Sequence, residues 1–417
     1  MIKQASFLIL LLIGPVLALA TKGFAVVLAL SGLTALVALS LHRPVWVANW
    51  RDNWRDNWRS LPVLPMAALG YILASAFWGI SERAFDTTTR LILVVGFSGA
   101  LIALFNTLPD DAKTRWARAL RWSVGLGIFV ALAIGPYNVY WPDARETARD
   151  YFELLRQVNN SLTVLPAFLF IFLGSWQGAR KWLQAAIIAA ACLITLLSQS
   201  QTSLLAMLLA VTAFGLATIS TRLCRHLIFA SLAVCTLAAP FIFSTAYQEK
   251  WVANYAPDIV VERGAGEIRE WIYYVYAEEA VKKPVFGHGI NGTKNFVPAD
   301  LGAYVALSGD DPVLQDSIVS ATQSGAAAAH AHNLFLQLIF EFGYLGTVLI
   351  LAAIWRFFAR LDRHAGAQNA PYYWASIAAC LATVLFGLTL WHSWFMTAMG
   401  CLVIFARMSA ELGLRAR

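Results

Sequence analysis

The chain has 417 residues, of which 59% are hydrophobic and 13% charged, at a mean hydropathy of +0.62. A soluble domain carries about 25% charged residues, so this composition excludes one and defines a polytopic membrane protein; the 16 Trp and 25 Phe suit lipid-facing and interfacial surface. The net charge of +7 is no nucleic-acid signature, because the basic residues are spread over short loops between apolar runs.

In chain order, Lys3 and the apolar run to Ala20 have a signal-peptide look, with Ala18-Leu19-Ala20 as the cleavage-like site. A first membrane helix is the preferred reading, because a second apolar run, Gly23 to Leu41, follows at once. About twelve spans are expected, each near the ~20 residues a bilayer needs. They fall at 5–20, 23–41, 62–80, 88–105, 120–141, 161–177, 182–199, 202–219, 226–246, 333–358, 371–389 and 392–410. Counting alternate loops, 19 of the 31 basic residues fall in one set, with few acids. That set runs from Lys3 and Arg43 to Arg407, Arg415 and Arg417. The positive-inside rule puts it in the cytoplasm with both termini, so loops 142–160 and 247–331 face outward.

Local features divide between functional and plain readings. The Trp-Arg repeat from Trp50 to Arg59 reads as an amphipathic segment on the membrane surface rather than a nucleic-acid platform. Arg83 and Arg90 flank the early spans; each alone reads as snorkelling to headgroups, and the functional reading is a lipid-linked phosphate. Arg145, Arg149 and Arg156, with nearby acids, suggest a solvated helical face. The polar turn Leu197 to Ser203 is either a cavity wall or a satisfied turn. Cys192, Cys224, Cys235, Cys380 and Cys401 all lie in or beside apolar runs without metal spacing, so the large loop is expected to lack disulfides.

That loop, 247–331, is too long for a plain connector. Residues Gly266 to Lys283 read as an amphipathic helix with Arg269, Tyr273, Tyr276 and Ala280 on one face. Pro284 ends it, and Gly287 and Gly289 permit a tight turn. His330-Ala331-His332-Asn333 then opens an apolar helix. Histidine at a span start suits proton transfer near neutral pH. Three readings of the histidines stand open here: a metal site with His288, satisfied structural residues, or a general base. Asp310-Asp311 is read as solvated, and Glu341, about 13 Å along the helix from His332, as a hydrogen-bonded structural residue.

His332-Asn333, nine residues, then Gly343-Tyr344-Leu345-Gly346 resembles the signature of bacterial O-antigen ligases, a family that also includes O-antigen polymerases and protein O-oligosaccharyltransferases. Arg269, three residues, Tyr273, then Pro284-Val285-Phe286-Gly287-His288-Gly289 resembles its other common pattern. Many relatives carry Ser-Arg where span eight begins; here Ser200 precedes Gln201, and Arg90, Arg156 or Arg263 is the candidate replacement. The resemblance implies an all-α, GT-C-like glycosyltransferase of the bacterial inner membrane, with helices over 1–246, a periplasmic loop over 247–331 and the last helices over 332–417. It implies transfer of O-antigen from undecaprenyl diphosphate to lipid A–core, without a cofactor or metal and with inversion at the anomeric carbon. His332 is the expected base, and Arg269 and Arg263 the diphosphate clamp. His330, Arg90, Arg156, Tyr273 and Asn333 are the expected substrate-binding residues. Lys282, Lys283 and Lys294 favour an anionic acceptor. His392, between Trp391 and Trp394, is a weaker candidate, and Trp there is an interface anchor. A polymerase or a protein O-glycosylating enzyme is the near alternative. A transporter is the distant one, disfavoured by the lack of an internal repeat.

Overall fold

The computed structural model describes residues 2–41, 63–135, 149–176, 179–198, 200–255, 265–294, 296–298, 302, 331, 333–386 and 388–415. Among these there is no strand. An all-helical answer follows from the solvent: a backbone crossing hydrocarbon must satisfy its own hydrogen bonds.

The first helices are α1 (Ile2–Leu10), α2 (Ile13–Leu19), α3 (Gly23–Leu41) and α4 (Val63–Ala74). A single turn of 3-10 helix, Ser75–Phe77, leads toward α5 (Ala84–Asn106) and α6 (Asp110–Ile134). The middle of the chain gives α7 (Arg149–Ser175), α8 (Lys181–Leu197), α9 (Gln201–Ile219) and α10 (Thr221–Gln248). The loop region contributes α11 (Trp251–Tyr255) and α12 (Ala265–Lys282), and the chain closes with α13 (Leu334–Phe386) and α14 (Ser393–Arg415). Nine of the described helices are long and apolar enough to cross a membrane, counting Ile2–Leu19 as one; Val63–Phe77 and Lys181–Leu197 are shorter apolar helices. Most of Gln157–Ser175 is buried, making α7 the axis of the bundle. Phe168 stacks between Phe24 and Phe405 there, joining α3 and α14 through α7.

In α13 helical turns run from Leu334 to Phe386, through the connector expected between the spans at 333–358 and 371–389. Its Ala- and Arg-rich middle is made of good helix formers. The helix nevertheless doubles back. Phe358 and Trp374 have ring centroids 4.9 Å apart, whereas sixteen residues of straight helix would span about 24 Å. Gln337 Nε2 likewise donates to Thr389 Oγ1 at 2.8 Å across 52 residues. The two limbs of α13 are therefore neighbours in one bundle, as two spans would be.

The turn Leu197 to Ser203 is satisfied rather than open. Ser200 caps α9 by accepting from the Ser203 N–H at 3.3 Å, and Ser203 Oγ pairs with Thr163 Oγ1 at 3.1 Å. The Trp-Arg repeat, Asp310-Asp311 and residues 142–148 lie outside the described residues, while 149–160, expected in an outward loop, form the first turns of α7.

Candidate active site

The loop helix forms where its pattern placed it, at Ala265–Lys282. Its buried face is Trp271, Ile272, Val275, Tyr276 and Ala280, which pack with Ala331, Leu336, Ile339 and Phe340 at the head of α13. Arg269 and Tyr273 sit on the flank of this face, only partly buried, rather than in line with Tyr276. The shift arises because Trp271 and Ile272 carry more apolar surface than Tyr273, and the helix turns them inward. Tyr273 rests edge-on against Phe243 of α10, ring centroids 5.1 Å apart. Burial pushes its phenol pKa up, and the adjacent Arg269 guanidinium pulls it partly back. Those two residues are thus electrostatic neighbours, one helical turn apart.

Two contacts orient α12 against α13. Tyr276 meets Phe340 with ring centroids 5.2 Å apart, and the Tyr344 N–H donates to the Pro284 carbonyl at 2.7 Å. Both contacts tie the last turns of α12 and the turn after it to residues 340–344 of α13. Asn333 is buried and caps α13: its Oδ1 accepts from the N–H groups of Phe335 at 2.9 Å and Leu336 at 3.3 Å. The capping fixes the backbone that follows position 332. His330, His332 and Arg263 lie outside the described residues, as does the side chain of Arg156.

The second motif docks on the first. Gly343 has φ of 60°, which breaks the helical ladder of α13. The freed carbonyls of Phe340 and Glu341 accept from the N–H groups of His288 and Gly289, each at 2.8 Å. Beyond the break, the Tyr344 and Leu345 N–H groups turn to the carbonyls of Pro284 and Val285. A Cβ on Gly343 would strike the Val285 carbonyl, and one on Gly287 would lie 2.6 Å from the Glu341 carbonyl oxygen. The Pro284–Gly289 turn also grips the 3-10 turn and its flanks. Ile80 N–H donates to the His288 carbonyl, Ile290 N–H to Ser75 Oγ, and Asn291 Nδ2 to Thr87 Oγ1. These partners, and Tyr71 hydroxyl donating to the Phe342 carbonyl at 3.1 Å, carry no local sequence signal; they lie some 200 or more residues away along the chain.

Glu341 lies fully buried at the centre of this rim. It accepts from Thr293 Oγ1 at 2.8 Å, Gln337 Nε2 at 3.1 Å and Trp391 Nε1 at 2.6 Å. The turns at Thr293 and Trp391 thereby meet on Glu341, and residues 75–80 join them through Ile290 and His288. The structural role of Glu341 is as read from the sequence.

His288 is buried and stacks on Phe340, ring centroids 4.2 Å apart. Its Nε2 faces the Glu279 carbonyl at 3.1 Å, while Nδ1 has no partner among the described residues. Desolvation lowers its pKa below 6.5, opposed by the bond to the Glu279 carbonyl, so the ring is held neutral. Arg90 stands away from α12 on α5, half exposed and paired with Asp86 at 2.7 Å. Arg269 and Tyr273 thus share α12 and Asn333 caps α13, the helix that α12 packs against, while Arg90 belongs to α5. No group of three or more His, Cys, Asp or Glu with metal-holding geometry occurs among the described residues.

Fold and composition define an all-α polytopic membrane protein whose two motifs are built into one another. Residues 184–351, the stretch that carries both, match the family model described as O-antigen ligase. A protein of Rickettsia conorii, named provisionally as a polysaccharide ligase, is 19% identical over 322 residues, covering 76% of this chain and 72% of its own length. No solved structure matches. The function is of the polysaccharide ligase or polymerase type, on lipid-linked substrates in a membrane.

Proposed function

We propose that the protein transfers O-antigen polysaccharide from undecaprenyl diphosphate to a sugar hydroxyl of lipid A–core, on the periplasmic face of the inner membrane. The observation that supports the reading is the packing of α12, which carries Arg269 and Tyr273, against the head of α13, which Asn333 caps. Arg269, with Arg263, clamps the diphosphate, because a planar guanidinium bonds two phosphate oxygens at once. His332 takes the proton from the acceptor hydroxyl as its oxygen attacks the anomeric carbon. The diphosphate departs with the bonding electrons, and direct displacement inverts that carbon. A lipid diphosphate is already a good leaving group, so the arginines stabilise its charge without a metal. Tyr273 buttresses Arg269, Asn333 fixes the backbone beside His332, and His330 and Arg156 contact substrate.

Purified protein mixed with membranes holding the donor glycolipid and with lipid A–core tests the assignment. A ladder of glycosylated lipid A–core is the expected product. Lengthened glycan still attached to the lipid diphosphate, with lipid A–core unmodified, identifies a polymerase and overturns it.

A further inference from the structure

Arg90, on α5, stands at an apolar groove of about 210 Å³ between α3, α5 and α14. The walls include Ala25 and Ala29 of α3, Leu93 and Val94 of α5 and Met396 of α14. All three helices begin near this end, at Gly23, Ala84 and Ser393. Further along they close on one another. A Cβ on Gly32 would strike the Phe97 side chain, and one on Gly400 would crowd Ser98, Leu28 and Val94. Before that contact the small side chains of Ala25 and Ala29 leave the space between the helices unfilled. The groove is therefore a wedge between membrane helices, and its apolar walls suit a hydrocarbon chain.

Among the described lining residues Arg90 is the charged one, and it is bonded toward the start of α5. Its Nε donates to Asp86 Oδ1 at 3.1 Å and its Nη2 lies 2.7 Å from Asp86 Oδ2, one helical turn earlier. The stem therefore runs along the groove, and the ion pair sits at its mouth. Nη1 makes no bond among the described residues, and each carboxylate oxygen keeps room for a further donor. The mouth thus offers a donor fork and an acceptor side by side, with their charges cancelling. An anion alone would meet Asp86 as well as Arg90, and a cation alone the reverse. A head that carries both signs answers both partners. Thr397 makes no further polar demand, because its hydroxyl donates to the Ser393 and Trp394 carbonyls. Lys294 lies within electrostatic reach of Arg90 and Asp86, which makes an anionic head the rival occupant.

We propose that the groove holds one acyl chain of a zwitterionic phospholipid of the bilayer, whose phosphate bonds Arg90 and whose primary ammonium bonds Asp86. That chemistry is phosphatidylethanolamine. A choline head has the same charges but no N–H to donate to the carboxylate, and a glycerol head has no cation. The lipid is a resident of the fold rather than a substrate, so the site does not depend on the transfer reading.

Native mass spectrometry of the delipidated full-length protein tests this without turnover. The probes are phosphatidylethanolamine, phosphatidylcholine and phosphatidylglycerol with identical acyl chains. The first phosphatidylethanolamine is expected to bind about tenfold more tightly than the first of either rival. Glycerophosphoethanolamine, the same head without chains, is expected not to displace it, because the groove holds the chain. Asp86→Asn should erase the preference over phosphatidylcholine, and Asp86→Glu should keep it. Arg90→Gln should weaken binding of all three phospholipids about tenfold. The ion pair is about half exposed, so the melting of these variants in detergent should match wild type. Equal affinity for phosphatidylethanolamine and phosphatidylcholine, tighter binding of phosphatidylglycerol, displacement by the chainless head, or a preference kept in Asp86→Asn overturns the site.

Discussion

At the scale of single residues, the site divides groups that must carry charge from groups that must not. Arg269 is partly buried beside Tyr273, and its proposed work depends on the planar fork rather than the charge alone. Arg269→Lys keeps the charge and loses the fork. Transfer by this variant is expected to fall by roughly 10²-fold or more, with thermal stability within about 0.5 kcal/mol of wild type. Full transfer by Arg269→Lys contradicts the clamp. His288 is the opposite case, a ring kept neutral by burial. Its folded pKa lies below 6.5, so the unfolded chain binds the proton more readily. The stability from that group is present above pH about 6.5 and is lost as pH falls through the folded value. His288→Phe keeps the stack on Phe340 without a titrating group. Its melting temperature is expected to fall less between pH 7 and 5 than that of wild type; identical slopes would remove His288 as the cause.

At the scale of elements, the informative feature is the break in α13. The sequence motif Gly343-Tyr344-Leu345-Gly346 invites a reading as close helix packing, and Gly346 does lie against the Tyr71 ring. Gly343 instead adopts a left-handed conformation, so that α13 can open its ladder to the Pro284–Gly289 turn. Gly343→Ala should cost about 1–3 kcal/mol from backbone strain alone, more where the new Cβ meets the Val285 carbonyl. Gly99→Ala on α5, where a Cβ would meet nothing, is the control and should be neutral. Unchanged melting of Gly343→Ala in detergent would contradict the docking. Apolar runs and Pro284 made the helices and the end of α12 legible, because hydropathy and proline act within a few residues. The mutual docking of the two motifs was not legible. It depends on backbone groups of residues 288 and 340, and a backbone hydrogen bond leaves no side-chain pattern. The buried face of α12 was half legible: Tyr276 and Ala280 point inward as spacing implied, but the bulk of Trp271 and Ile272 rotates Arg269 and Tyr273 to the flank.

At the scale of the molecule, the rim joins two distant turns, at Thr293 and Trp391, to the head of α13 through Glu341. The loop-charge asymmetry predicts that this rim and loop 247–331 face away from the cytoplasm, with both termini inside. Reporter fusions at Gly292 and Arg417 are expected to report opposite sides, and agreement between them contradicts the map. The central claim is that one centre, built where α12 meets the head of α13, removes the acceptor proton and holds the leaving diphosphate. The most direct measurement is the pH–rate profile of glycan transfer by purified wild type, His332→Ala and His330→Ala in the same membranes. A general base contributes about 10²–10⁴-fold. His332→Ala should lose that factor together with the limb near the imidazole pKa, and His330→Ala should keep the limb and lose less. Ligation abolished in His330→Ala and preserved in His332→Ala, or a limb unchanged in both, would contradict the account.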